Sequence, residues 1–223
     1  MYTYDTPREN MEDAQWKAGY IKRFIQMIPP KPIVHICDIG CGTGLVLKSL
    51  KDVMDTPAIY SGFDISEEAI AIAEEYTDRY VKFYCEDYTS NPKNPDVVLL
   101  IDVIEHVEDP YAFIKKIRDT SRYVIFHIPL ENHCLSMLYP KFQQGQHDKV
   151  GHLHYYTRDT ALQLLKDCGC EIICWEYTDA YTLSRTHGFK DAILKPVQKI
   201  LFAISPDHAS QIVGGVSLMV LCK

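Results

Sequence analysis

The sequence predicts an α/β fold whose sheet is largely parallel and covered by helices on both faces. Short apolar runs rich in Val, Ile, Tyr and Phe alternate with amphipathic stretches of helical spacing. A glycine-rich turn follows the first of those runs and opens the first helix of the alternation. Acids stand at the ends of four successive runs, on the edge where open parallel sheets bind ligands. At 223 residues the chain is long enough for one sizeable domain and short for two. No repeat, low-complexity tract or linker divides it, so residues 1–223 are read as a single domain.

"PIVHICDIG" is the first strand, ended by glycines, and "TGLVLKSLKDVM" continues as a helix. "AIYSGFDI" is the second strand, and "SEEAIAIAEEYTDRY" begins with Ser66 and two glutamates, a favourable helix start. "VKFYCED" and "PDVVLLIDV" supply the third and fourth strands, "PYAFIKKIRDTS" a helix, and "RYVIFHIP" the fifth strand. After Pro129 the rhythm breaks for nearly thirty residues, and "TRDTALQLLKDCG" then resumes as a helix from Thr157 to a stop at Gly169. "CEIICWEYTDAYT" is a sixth strand and "QIVGGVSLMVLCK" the last. Between them "DAILKPVQKILFAI" places apolar residues at 193, 194, 197, 200, 201 and 204. With Lys190, Lys195 and Lys199 alongside, that stripe could lie on a membrane surface, but a helix packed on the domain is favoured.

Composition narrows the function. Lys plus Arg is 23 and Asp plus Glu 30, a net charge of -7, which argues against a phosphate-tracking surface and so against nucleic acid. No apolar run approaches the roughly 20 residues of a membrane span. The polar, acidic start is not a secretory signal, so the eight cysteines are expected to be reduced and the protein cytoplasmic. Cys168, Cys170 and Cys174 lack a second pair at zinc-ribbon spacing.

The most informative segment is "VHICDIGCGTG". Gly40, Gly42 and Gly44 let the backbone approach a ligand closely. Their G-x-G-x-G spacing differs from the dinucleotide fingerprint, and Asp38 stands two residues before them. A carboxylate there suits a cationic ligand and would repel a pyrophosphate. Asp64 ends the second strand and can accept both hydroxyls of a ribose. Asp87 follows the third strand, within reach of an adenine amino group, and Asp102 ends the fourth, followed by Glu105 and His106.

With these residues in hand, the chain resembles the class I S-adenosylmethionine-dependent methyltransferases, in their small-molecule branch. "DIGCGTG", "GFDIS", "CEDY" and "DVIEHV" match that family's motifs in order, and "GHLHYYTRDTALQLLKDCGCEI" is similar to its approach to the penultimate strand. The resemblance spans roughly residues 15–222 and implies a Rossmann-like, seven-stranded sheet of order 3-2-1-4-5-7-6 with strand seven antiparallel. It implies S-adenosylmethionine as cofactor and S-adenosylhomocysteine as product. Gly40, Cys41 and Gly42 would border the methionine end, with Gly44 closing the turn and Asp38 beneath the amino group. Asp64 would hold the ribose, Ile65 pack on the adenine, and Asp87 with Tyr88 line the adenine edge. Asp102 would lie beside the methionine end and His106 form a wall of the pocket. Residues 1–30 would be a helical lid with Trp16 and Tyr20 as contacts. Residues 130–157 would be an acceptor-side insertion, and 184–210 a helical insertion before the last strand.

Methyl transfer from a sulfonium releases a neutral thioether, so no acid is required, and alignment supplies most of the acceleration. A base helps when the acceptor is a hydroxyl, and imidazole is the natural one near neutral pH. Five histidines fall between His127 and His154. His152 ranks first as catalytic candidate, His127 and His154 next. A metal held by His147, His152 and His154 is conceivable, but "DVIEHV" lacks the carboxylates and Asn of the metal-dependent catechol type, so no metal is expected. Tyr139, Phe142, Tyr155, Tyr156 and Tyr181 could wall an acceptor pocket.

The reading is therefore methyl transfer to a hydroxyl, or an amine, of a small polar metabolite or glycan precursor. No Asn/Asp-Pro-Pro-Tyr motif follows strand four, which weighs against methylation of bases or glutamine. Protein or RNA methylation and a non-catalytic cofactor-binding module are the alternatives. A homodimer is left open.

Overall fold

The computed structural model describes residues 7–29, 32–139, 141–179 and 189–223, with side chains described from residue 11 onward and from 195 in the last segment. Seven strands form one sheet of order β3-β2-β1-β4-β5-β7-β6. They are β1 (His35–Ile39), β2 (Ile59–Asp64), β3 (Val81–Cys85), β4 (Val97–Ile101), β5 (Tyr123–Pro129), β6 (Ile172–Thr178) and β7 (Ser217–Cys222). The pairs among β1 to β5 are parallel, and β7 runs antiparallel between β5 and β6. Order and directions are those the sequence implied.

Period-two alternation splits the strands between two cores. In β4, Val97, Leu99 and Ile101 face one core while Val98 and Leu100 face the other. The first core holds α1 (Pro7–Gln26), α2 (Leu45–Val53) and α3 (Glu67–Ala73) through residues such as Phe24, Leu50 and Ile70. The second holds α4 (Pro110–Arg118) and α7 (Arg158–Asp167) through Ile114, Ile117, Leu164 and Leu165. Helices therefore cover both faces.

Local chemistry sets the helix ends. Ser66 Oγ accepts from Ala69 N–H at 3.2 Å to start α3, and Thr157 with Thr160 forms a capping box on α7. Asp109 caps α4 with Pro110 in its first turn. The stretch after Pro129, where strand–helix rhythm stops, contains α5 (Cys134–Leu138) and α6 (Phe142–Val150). Neither was legible, because α5 spans little more than one turn and α6 buries no residue, so neither prints an apolar period.

Helix α8 (Phe189–Ile204) and helix α9 (Pro206–Ile212) precede β7, and α9 runs two residues past the helical insertion expected over 184–210 into residues read as the last strand. On α8 the buried position is Gln198, with Phe202 packed on the second core, while Val197, Ile200 and Ile204 are exposed. The expected apolar stripe is thus turned largely outward among the described side chains; Lys190, Ile193 and Leu194 lie outside them. Among the described residues no helix is long and apolar enough to cross a membrane. All eight cysteines are free thiols.

Candidate active site

The strand tips of β1, β2 and β4 converge below the N-terminal end of α2. Gly40 and Gly44 have φ of 73° and 76°, the left-handed region where a side chain is strained. Both are also crowded: a Cβ on Gly40 would lie 2.8 Å from Val103 Cγ2, and one on Gly44 2.6 Å from the Phe83 ring. The turn is held by Phe63, whose carbonyl accepts from Gly40 N–H and Cys41 N–H at 2.8 and 3.0 Å. Asp64 braces it from the side, accepting from Gly42 N–H at 2.8 Å and from Ser66 N–H at 2.9 Å. A carboxylate has about four lone-pair positions, so these two bonds leave capacity for further donors. Ile65 beside it is 79% exposed.

Asp38 is buried beneath this turn, and its Oδ1 has no hydrogen-bond partner among the described residues. Burial, and then Asp64, push its carboxyl up to about 8. An orphaned, buried carboxylate oxygen beside a glycine turn could hold a cationic group, such as an ammonium, that restores the charged form. Cys41 is buried, and its thiol is held up by burial and by Asp38 and Asp64.

Asp102 ends β4 at φ 55°, unusual for a residue with a side chain. Its carboxylate is gripped by two groups: Lys17 of α1 donates to Oδ2 at 2.6 Å, and His127 Nδ1 lies 2.5 Å from Oδ1. Although burial works against ionisation, Lys17 and His127 hold Asp102 well below the usual carboxylate range. Lys17 also bonds Asp13 at 2.7 Å; burial opposes its charge, but Asp102 and Asp13 raise it above the ordinary lysine value. His127 Nε2 meets Thr178 Oγ1 at 2.8 Å, so both its ring nitrogens are occupied, and the ring is 2% exposed. Trp16 packs edge-on to His127 and to Tyr20, while Tyr20 bonds Asp179 at 2.9 Å. Helix α1 is thereby tied to the ends of β4 and β6.

Beyond Asp102 the chain turns through Glu105 and His106, and the segment leading into α7 docks against it. Leu153 N–H and His154 N–H donate to the Glu105 carbonyl at 2.7 and 3.1 Å. This brings His152 over the Glu105 side chain. His152 Nδ1 lies 2.7 Å from Glu131 Oε2, and Glu131 Oε1 is bonded by Gln146. His106 Nδ1 faces the Gly151 carbonyl at 3.2 Å, and the His106 and His152 rings meet edge-on at 4.8 Å. Burial, and then His152, lower the His106 imidazole from its ordinary value. Glu105 is fully buried, neither carboxylate oxygen has a hydrogen-bond partner among the described residues, and burial followed by Asp102 raises it well above the usual range.

The remaining residues singled out from sequence fall at various distances from this arrangement. His154 Nε2 donates to the Val107 carbonyl at 2.9 Å, a backbone-fastening role. His147 is exposed and beside Asp148. Asp87 caps its own short turn through Thr89 N–H at 2.8 Å, and Tyr88 is buried in the second core with its hydroxyl 3.2 Å from Thr120. Tyr156 also belongs to that core, whereas the Tyr155 hydroxyl lies 2.6 Å from the Gln143 carbonyl. Tyr139 is exposed and Phe142 packs edge-on to His133. Tyr181 lies outside the described residues, as do 1–6 of the expected lid and 184–188 of the insertion before the last strand. Sequence reasoning missed Lys17 and Thr178 altogether. Lys17 had a signal in its i,i+4 spacing from Asp13, but its partner across the sheet is 85 residues away.

The family profile described as "Methyltransferase domain" matches residues 11–174, nearly three-quarters of the chain and all of the strand tips above. The chain belongs to this methyltransferase family. Its methyl donor is S-adenosylmethionine, and the unpartnered Asp38 oxygen suits the ammonium of that molecule. Among curated proteins, the methyltransferase is 31% identical over 87 residues to the ubiquinone biosynthesis O-methyltransferase of Coxiella burnetii (strain RSA 493 / Nine Mile phase I), covering 36% of each chain. It is 26% identical over 211 residues to phosphoethanolamine N-methyltransferase 1 of Arabidopsis thaliana, covering 87% of this chain and 40% of that one. The match thus spans about a third of the first relative's length. Among solved structures, the magnesium protoporphyrin IX methyltransferase of Synechocystis PCC 6803 with bound SAH superposes with a TM-score of 0.61 at 16% identity. That superposition covers 94% of this chain and 82% of the other, and it establishes the shared fold.

Proposed function

We propose that this methyltransferase transfers a methyl group from S-adenosylmethionine to a hydroxyl of a small polar molecule. The observation that carries this reading is the division made by the turn after β4. On one side lie Asp38, the glycine turn and Asp64; on the other lies the Glu131–His152 pair over Glu105. S-adenosylmethionine supplies an electrophilic methyl group on a sulfonium, whose departure needs no proton. Asp38 with Gly40, Cys41, Gly42 and Gly44 would hold its amino-acid end. Asp64 would take the ribose and Ile65 the adenine, with Asp87 and the backbone at Tyr88 along the adenine edge. Asp102 and His106 would wall the methionine end.

On the acceptor side, Glu131 accepts from His152 Nδ1, which fixes the ring so that Nε2 faces the space above Glu105. An imidazole oriented by a carboxylate can take the proton of an attacking hydroxyl. His127, enclosed between Asp102 and Thr178, is better placed to position Asp102 than to touch an acceptor. The relative from Coxiella burnetii carries an O-methyltransferase name, which supports oxygen; the plant relative's N-methyltransferase name keeps nitrogen as the second reading.

Incubation with S-adenosylmethionine and a panel of hydroxylated and amine-bearing metabolites should release S-adenosylhomocysteine with a hydroxylated member. Asp64→Ala is expected to abolish cofactor binding in calorimetry. His152→Ala should cut turnover by about 100- to 10,000-fold, the usual worth of a positioned base, with cofactor affinity nearly unchanged. A fully active His152→Ala enzyme would overturn the acceptor-side assignment.

A further inference from the structure

The acceptor side holds more than a base. Glu105 is fully buried, yet neither oxygen of its carboxylate has a hydrogen-bond partner among the described residues. The Tyr156 hydroxyl, also unpartnered and buried, does not bond to it. Two imidazoles face the same carboxylate, with His106 Nε2 and His152 Nε2 each 4.0 Å from Glu105 Oε1. In both rings the other nitrogen is already committed. His106 Nδ1 faces the Gly151 carbonyl at 3.2 Å, and His152 Nδ1 faces Glu131 Oε2 at 2.7 Å. A carbonyl and a carboxylate only accept, so each Nδ1 carries the hydrogen and each Nε2 presents a lone pair toward Glu105. The ligand atoms of the three residues lie within 4.8 Å of one another.

We infer that Glu105, His106 and His152 form a binding site for one divalent transition-metal ion. The donor set is two imidazoles and one carboxylate, with each histidine fastened through its far nitrogen as metal-bound histidines are. Two nitrogen donors favour zinc, manganese, iron or cobalt over magnesium and calcium, which prefer oxygen alone. A cation about 2.0–2.2 Å from each donor asks the donors to draw together by about an ångström, a side-chain movement. It also gives the buried Glu105 carboxylate a partner that the described residues do not. The three residues supply three donors and His106 is 31% exposed at its side chain, which leaves coordination positions for water or an acceptor.

The inference rests on the proposed acceptor side only for its chemical consequence. A hydroxyl coordinated in an open position would be acidified by the ion, so that with metal bound the activation passes from His152 Nε2 to coordination. From sequence no metal is expected, because "DVIEHV" lacks the catechol-type ligand set; His152 lies 47 positions from Glu105 and meets the adjacent Glu105 and His106 only when the insertion docks on the turn.

The full-length chain, stripped with chelator and dialysed, is titrated with zinc, manganese, cobalt and magnesium chlorides by calorimetry, and bound cobalt is read by its visible absorption. One ion per chain is expected, with zinc or manganese tighter than magnesium and an absorption band from nitrogen-ligated cobalt. Glu105→Gln and His106→Asn should lose this binding, and Glu131→Gln should weaken it about 10- to 100-fold, the worth of an orienting partner. His147→Ala, on an exposed histidine nearby, should bind as wild type. Circular dichroism selects the folded variants among these. Absence of stoichiometric binding to the wild type, or undiminished binding by folded Glu105→Gln or His106→Asn, overturns the site. S-adenosylmethionine affinity of the stripped chain is measured in parallel. Retained cofactor binding without ion binding overturns the metal site alone, and ion binding without cofactor binding overturns the methyl-transfer reading alone.

Discussion

Thr178 shows how a single hydroxyl can hold a site at a distance. It is fully buried and supplies the partner of His127 Nε2, whose other nitrogen fixes Asp102. Replacing it by the near-isosteric valine keeps the volume and leaves one imidazole nitrogen unsatisfied in the interior. That costs about 1–3 kcal/mol. Urea unfolding of Thr178→Val should show this loss with an unchanged m-value; a loss below roughly 0.5 kcal/mol would mean the His127 bond contributes nothing net. At this scale much of the site could be read from sequence. The acids at the strand tips are ordinary motif residues and could be named from their spacing alone. Lys17, Thr178 and the pairing of Glu131 with His152 could not, because each depends on contacts across 85, 51 and 21 positions. Nothing in a local pattern distinguishes such a residue from a solvated one.

At the scale of elements, the β1–α2 turn has little tolerance. Gly44 combines a left-handed backbone with the Phe83 ring where a Cβ would stand, and Ala73 Cβ lies 3.0 Å away. Gly44→Ala should therefore cost upward of about 2 kcal/mol, about 1–2 from the backbone and the rest from crowding. Phe83→Leu in the same chain should recover part of the crowding and none of the backbone cost. Thermal or urea unfolding of the four variants of the cycle reads this, and strict additivity would show that the ring is not the obstacle. Elements with strong periodicity or caps were legible: α3 from Ser66, α7 from Thr157 and Gly169, and β4 from its continuous apolar run. Helices α5 and α6 were not, being short or without a buried face that would impose a period. On α8 the period was present but its outcome differed, since Gln198 is buried while Ile200 and Ile204 are exposed.

Across the whole molecule, Asp38 and Asp102 carry opposite pH dependences. Asp38 sits near 8 in the folded chain, against about 4 for an unperturbed aspartate. The native state therefore holds a proton that the unfolded state has released between those values. The associated stability is complete below about 4 and is lost as pH rises through about 8. Asp64 and Asp102 push in the same direction, and Lys17 opposes them. Asp102, held low by Lys17 and His127, acts with the other sign: its contribution is present above the ordinary carboxylate range and fades as pH falls below it. Between pH 5 and 8 the melting temperature of the cofactor-free wild type should fall relative to Asp38→Asn, which cannot titrate. Parallel profiles would show that Asp38 is ionised throughout. The fold class was legible in the βα alternation, whereas the strand order and the direction of β7 came from the family resemblance. Residues 130–157 were expected, from the resemblance, as an acceptor-side insertion; the two bonds that dock Leu153 N–H and His154 N–H on the Glu105 carbonyl were not legible, because they join backbone groups some 48 positions apart. Those bonds have an evolutionary consequence. They join main chain to main chain, through Leu153 N–H and His154 N–H, and so ask nothing of the side chains between β5 and Gly151. Apart from Leu130 in the core and Glu131, which holds His152, sequence there can drift or be exchanged while the segment keeps its anchor, so one strand-tip frame would accept different loops at this edge.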